Sequence, residues 1–405
     1  MTEPITRPLA PRGHGPLAAD DAATAPPRPV PRESAAPARR VARVDGSAVI
    51  TRQYDVGWEI RLDRALECVS QGSATRTAPS RPEAQTIRIP NPPVTVNLGE
   101  ESLALAGGQV AARVSAQLFD FGVISLRAEI VLPRDLAWER FAALGSQVDL
   151  PRELGPLFER HRQALLERIA PALVRPELFA ETEDYVVFRV EALRDSAGAP
   201  LPPTALTDTD IVPLLLGEQR PLSDAACRKL LSARFSYYAD DLAIVTWNNA
   251  LVVEAPGDRD VQYVLEFANA QLLELRVYDR LLDLELPKLE ARIHAVRKRR
   301  VLVGRRFGSV LRQLQQVMAE VSETVERAEN AFKVTDDVYL ARIYTTALEI
   351  FRGRAWRQGI DRKLDILRDT YSMLNSESQT GRAEVLEIAI VVLIVTEIVL
   401  GLIHR

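Results

Sequence analysis

Residues 383–403 read AEVLEIAIVVLIVTEIVLGLI and constrain this chain more than any other segment. As one helix they would span about 31 Å, close to the thickness of a bilayer core. Within 388–403, Thr396 is the only polar side chain and Glu397 the only charged one. Each aliphatic residue favours insertion by roughly 0.3 to 0.6 kcal/mol, and one central acid opposes it by about 3. The balance predicts a C-terminal transmembrane helix over 383–403, with Glu397 as its intramembrane polar residue. A buried core helix is the rival reading. The first reading makes the chain a single-pass membrane protein with a cytoplasmic N-terminal body and membrane lipid as a partner.

The 405 residues are enough for two or three domains. A net charge of −4 and a pI near 5.8 exclude a generally basic nucleic-acid binder. Cys68 and Cys227 lie far apart and form neither a CxxC pair nor a disulfide framework. His14, His161, His294 and His404 are scattered, with no zinc spacing among them.

The hydropathy pattern divides the chain. Residues 1–46 are rich in Pro, Ala and Arg and poor in large apolar groups. Such a segment cannot offset its ordering entropy and is expected to be disordered. From 47 to 256 the pattern is mixed. Tyr54, Val56, Trp58, Ile60 and Leu62 alternate as in a strand, and so do Ile124, Leu126, Ala128 and Ile130. Gly122 before the second run permits a bend. Residues 185–190 (YVVFRV) read as a further strand. Leu154, Leu157, Phe158, Leu165, Ile169 and Leu173 recur at helical spacing, while 72–108 and 195–206 carry turn formers and read as loops. The expected class is α+β: a mixed N-terminal α+β domain, then long coiled-coil-like helices over 257–380, then the tail.

The helical region carries a heptad seam. One set of positions is Val261, Ala268, Leu275, Leu282, Leu289 and Val296, and the other is Leu265, Leu272, Asp279, Leu286 and Ile293. Only Asp279 is polar. Such a seam makes a coiled coil, and one buried polar residue can set its register. Leu265, Leu272, Leu275, Leu282, Leu286 and Leu289 are the candidate oligomerisation residues, either between copies or within one chain. Pro287 should kink or interrupt the helix. Further helical patterns run over 308–332 and, after the candidate caps Asp336 and Asp337, from Leu340 through Gly353 and Gly359 to Leu374.

Few motifs carry chemistry. Tyr238–Ala239–Asp240–Asp241 resembles the YxDD hairpin with which reverse transcriptases hold two magnesium ions. No accompanying palm or fingers signature is present, so Asp240 and Asp241 in a metal-dependent nucleotidyl enzyme remain a remote alternative to a plain turn. Asp120–Phe121–Gly122 matches the kinase tripeptide but lacks every companion motif. No catalytic, cofactor-binding or metal-binding residue is assigned, and no small-molecule substrate is identified. A basic run, Arg292, Arg297, Lys298, Arg299, Arg300, Arg305 and Arg306, could attract RNA phosphates or anionic headgroups, or form a solvated helix end.

Four strings carry a family resemblance: QLFDFGVISL (117–126), FSYYADDLAIVTWNNALVVEAP (235–256), LEFANAQLLELRVYDRLLD (265–283) and SMLNSESQTGRAEVLEI (372–388). They resemble the required-for-meiotic-nuclear-division family over roughly 110–403. The resemblance implies homo-oligomers, and eukaryotic relatives at the mitochondrial inner membrane that support organellar translation by tethering ribosomes. It implies no catalytic residues. Glu3, Asp20, Asp21 and the nearby prolines do not suit a transit peptide, so a bacterial plasma-membrane member is expected. The expected function is a non-enzymatic, membrane-anchored oligomeric scaffold. An RNA or ribosome tether using 292–306 is the main alternative.

Overall fold

The computed structural model describes residues 40–69, 73–76, 87–88, 91–105, 108–147, 150–218, 220–298, 307–330, 333–334 and 338–403. The strands are β1 (Arg43–Asp55), β2 (Gly57–Ile60), β3 (Ala74–Arg76), β4 (Ile87–Arg88), β5 (Val94–Leu105), β6 (Gly108–Leu118), β7 (Val123–Val131), β8 (Leu136–Ala137), β9 (Leu173–Pro176), β10 (Thr182–Arg194), β11 (Pro200–Leu201), β12 (Arg234–Phe235), β13 (Leu242–Val245), β14 (Asn249–Val253) and β15 (Lys333–Val334). The helices are α1 (Leu62–Cys68), α2 (Trp138–Gln147), α3 (Leu150–Ile169), α4 (Asp208–Leu216), α5 (Asp224–Leu230), α6 (Asp260–Lys298), α7 (Gly308–Asn330), α8 (Val338–Ile350) and α9 (Gly353–Ile403).

Strand alternation builds the layers. In β1, Ala48, Ile50 and Tyr54 face one side of the sheet, and Val49, Thr51, Gln53 and Asp55 face the other. The main path of the sheet runs β12-β13-β14-β10-β1-β7-β6-β5-β3, with β8 and β11 attached to β1 and β10. All of its pairings are antiparallel except β10 with β14. The first face carries a core shared with α1 to α5, including Leu62, Phe141, Phe158, Ile211 and Cys227. The second face carries α6 and α8, with Val261, Val264, Phe267, Leu273 and Ile343 in its core. A third core joins the far half of α6 to α7 and α9 through Leu282, Leu289, Leu314, Leu364 and Leu374. The class is α+β, with one large mixed sheet between helices.

Several expectations change. The alternation from Tyr54 to Leu62 is not one strand. β1 ends at Asp55, β2 pairs with β9, and Leu62 opens α1. The stretch 72–108, expected as loop, contains the twelve-residue strand β5. Val94 and Val96 are fully buried there, so apolar alternation outweighs the surrounding turn formers. α6 runs on through Pro287. The stretch from 340 onward is two helices, because Arg352 adopts φ +55 and breaks the run before Gly353. The arm expected over 1–46 lies outside the described residues as far as 39, and β1 begins at Arg43. Asp336 and Asp337 also lie outside them.

The expected transmembrane helix over 383–403 is not supported. Among the described residues, no helix is long and apolar enough to cross a membrane. This overturns the single-pass placement with a cytoplasmic body, together with the plasma-membrane and mitochondrial inner-membrane addresses that followed from it. The apolar residues are instead the last turns of the 51-residue helix α9. Acids divide them: Glu387 and Glu397 bracket an uncharged stretch of about 14 Å, less than half of a bilayer core.

Candidate functional site

Two of the strings quoted for the family resemblance meet at one place. Phe119 and Phe121, before the turn at Gly122, stack with ring centroids 5.2 Å apart. Phe267 of α6 packs edge-on against them at 5.3 and 5.6 Å. Such pairs add about 0.5 to 1.5 kcal/mol each beyond their buried area. Beside this cluster the sheet is polar. Gln53 Nε2 donates to the carbonyl of Glu266 at 2.8 Å, and Arg127 pairs with the Glu266 carboxylate at 3.2 Å. Arg189 pairs with Glu129 at 3.3 Å and donates to the Asp258 carbonyl at 2.9 Å. Arg276 of α6 pairs with Glu183 of β10, and Gln271 accepts from the Tyr344 hydroxyl of α8. α6 is thus fixed to the sheet by directional contacts as well as apolar ones.

A second polar site lies where the sheet meets α7. Asp55 is buried, and its Oδ1 accepts from Gly57 N at 3.2 Å. Burial pushes the Asp55 carboxyl up to about 8. The Gly57 hydrogen bond opposes this shift, and the charges of Glu177 and Glu181 add to it. Arg175, at φ +45, lies over the Trp58 ring at 5.0 Å and pairs with Glu320 of α7 at 2.7 Å. These residues surround a cavity of about 90 Å³ that also touches Tyr278 of α6. Sequence reading missed Asp55. The alternation of Tyr54, Val56 and Trp58 sets Asp55 among the polar positions, and it is buried because β1 carries a packed core on both faces.

The seam leucines lie inside the chain. Leu265 and Leu272 pack in the sheet-facing core, while Leu275, Leu282 and Leu289 are buried against α7 and α9, with Leu286 partly buried beside them. The polar member of the seam has a partner: Asp279 accepts from Lys363 of α9 at 2.7 Å, and Asp283 pairs with the same ammonium at 2.6 Å. Burial draws the Lys363 pKa down, but the hydrogen bonds its ammonium donates to Asp279 and Asp283 outweigh this and hold it above its ordinary value. Gly359 permits the close approach, since a Cβ there would lie 3.1 Å from Asp279 Oδ1. Lys363→Met is expected to cost about 2 to 3 kcal/mol in urea denaturation, because it leaves Asp279 unpaired in a mostly buried position. Adding Asp279→Leu should recover most of that loss. A double variant as weak as the single one would show that the helices do not depend on this ion pair.

Asp240 is exposed, whereas the buried Asp241 accepts from Tyr237 N at 2.7 Å within the turn between β12 and β13. Among the described residues, no three His, Cys, Asp or Glu side chains come together as a metal would need. Arg292 is exposed on α6 and donates to Gln313 of α7. Arg297 and Lys298 end α6, and Arg299, Arg300, Arg305 and Arg306 lie outside the described residues. Glu397 is exposed on α9.

Comparison with known proteins bears on the sheet-bearing part. Uncharacterized protein MJ0711 of Methanocaldococcus jannaschii is 25% identical over 192 residues, which is 47% of this chain and 58% of that protein. The chain therefore spans less than two thirds of this relative's length. No solved structure matches. The family model described as the N-terminal domain of uncharacterized protein MJ0711 matches residues 45–259. Neither finding carries the name of the required-for-meiotic-nuclear-division family. The matched segment covers more than half of the chain, from within β1 to the residue before α6, and so this chain belongs to the family of the MJ0711 N-terminal domain.

Proposed function

We propose that this protein is a non-enzymatic scaffold that self-associates through the end of α9 and holds its sheet-bearing body at the assembly. One observation carries the reading. Ile390 to Val395, Val399 and Leu400 are 48–69% exposed, on every face of the helix. A helix that is apolar all round needs cover. Because the α6 seam already packs against α7, α8 and α9 of its own chain, a second copy would seat on the end of α9. Thr396 needs no outside partner, since its hydroxyl donates to the Val392 carbonyl at 2.7 Å. Glu397, the one charged side chain within 390–400, then sets how the tails align. The resemblance to the required-for-meiotic-nuclear-division family, whose relatives form homo-oligomers, supports the same reading.

Sedimentation of the full chain tests it. Wild type at tens of micromolar should sediment as more than one copy. Truncation after Arg382, and separately Leu393→Asp, should each give a single copy with unchanged far-ultraviolet circular dichroism per folded residue. A wild-type protein that sediments as one copy would end the proposal.

A further inference from the structure

β10 is longer than its partner β14. The two pair in parallel only from Val186 to Val190, where Val186 lies opposite Asn249. The other edge of β10 stays paired with β1 down to Thr182 opposite Tyr54. Among the described residues, no strand therefore pairs with Thr182–Tyr185 on the β14 side. Val186 N donates to the Asn248 carbonyl at 3.1 Å, and Glu254 N donates to the Val190 carbonyl at 3.1 Å, so the even-numbered residues of β10 direct their backbone groups to that side. By strand alternation the N–H and C=O of Asp184 point the same way, into a lane that the chain leaves at Asn248.

This lane opens on a cavity of about 560 Å³ between the sheet and the ends of α2 and α4. Ile50, Val186 and Phe188 line it from the sheet, and Leu144, Leu215 and Leu216 from the helices. The nearby charges are already matched. Asp184 forms a two-point pair with Arg52 at 2.7 and 2.8 Å, and Glu183 pairs with Arg276. Asn249 Nδ2 donates to the Leu215 carbonyl at 3.0 Å. What the site offers is a backbone edge beside a recess of mixed lining, with polar groups of Thr182, Asp184, Asn248 and Asn249 as well as the apolar side chains. A strand edge recognises extended backbone, and a recess on one face of it accepts every second side chain.

We propose that this cleft receives an extended peptide segment of a partner protein, which adds as a short strand along Thr182–Tyr185 and inserts one apolar side chain between Ile50, Leu144, Phe188 and Leu215. Specificity then rests on an aliphatic or aromatic anchor flanked by residues able to stay extended. The inference stands apart from self-association through α9.

Two measurements on the full chain test it. In the free protein, the Asp184 amide should exchange with deuterium at least about tenfold faster than that of Val186, whose N–H is bonded. The probe for binding is a fluorescein-labelled, acetylated Thr-Val-Thr-Leu-Thr-Val amide followed by anisotropy, together with versions methylated at a single backbone nitrogen. Binding should slow Asp184 exchange, and methylation should weaken binding about tenfold or more at alternate positions only. Leu144→Trp, which fills the recess from a partly buried position, should abolish binding while the protein stays folded. Equal protection of Asp184 and Val186 in the free protein would overturn the proposal. So would an absence of binding at millimolar peptide, equal tolerance of methylation at every position, or unchanged binding by a folded Leu144→Trp protein.

Discussion

Gly122→Ala is expected to cost at least about 4 kcal/mol of folding stability, or to prevent folding. Gly122 has φ +97, in a region that side chains rarely occupy. A Cβ there would also fall far inside contact distance of the Gly57 carbonyl oxygen, which is backbone and cannot rotate away. Gly57 cannot retreat easily, because its own Cβ position lies 2.9 Å from the Arg175 carbonyl. The turn joins β6 to β7 and aims Phe119 and Phe121 at Phe267, and Gly122 O accepts from Val56 N at 3.0 Å, so a shift would disturb the α6 contact and the start of β2 together. Gly99→Ala is the control. Gly99 has φ +104 at the bulge in β5, but nothing lies within 4 Å of its Cβ position. It should cost only backbone strain, on the order of 1 to 2 kcal/mol. Equal losses for the two variants in urea denaturation would show that crowding at Gly122 is unimportant.

Asp55→Asn should make the protein more stable at alkaline pH. The Asp55 carboxyl titrates near 3.8 in the unfolded chain and is pushed up to about 8 by burial in the folded one. The folded state therefore holds this proton more tightly. Its contribution is complete below about pH 4 and is lost as pH rises through about 8, a difference on the order of 5 kcal/mol. Asn has the shape of the protonated acid and no charge to bury. The variant should match wild type within about 1 kcal/mol near pH 4 and exceed it by several kcal/mol near pH 9. Other groups also titrate. Asp45, Glu101 and Glu159 are held low by their side-chain hydrogen bonds with Arg194, Arg160 and Arg162, so they act in the opposite direction over the acid range. The difference between variant and wild type, followed across pH, isolates Asp55. A difference that stays flat from acid to alkali would mean that the carboxyl is not held protonated. Loss of this proton also places charge beside Glu177 and Glu181 at the sheet–α7 junction, so the alkaline loss of wild type should begin with exchange of the α7 amides.

Sequence alone determined the periodic parts of this protein. Ile124 to Ile130 and 185–190 form strands because their alternation, backed by β-branched residues, is a local property of the backbone. Leu154 to Ile169 form a helix for the same kind of reason. The heptads over 261–296 specified a long helix with one apolar seam, and Asp279 as the polar member whose partner matters. Tertiary structure decided what covers each face. The seam does not encode whether a second copy or the chain's own α7, α8 and α9 will cover it, because both bury the same leucines. The apolar tail looked long enough to span a bilayer while its residues were summed. Placed on α9, the same residues form short stretches divided by Glu387 and Glu397. Val94 and Val96 read as part of a loop until β6 lay beside them, since a strand needs a neighbour to satisfy its backbone groups. Asp55 and the open edge of β10 were invisible for a related reason. Burial, and the lack of a neighbouring strand among the described residues, depend on residues far away in the chain, and no short pattern records them.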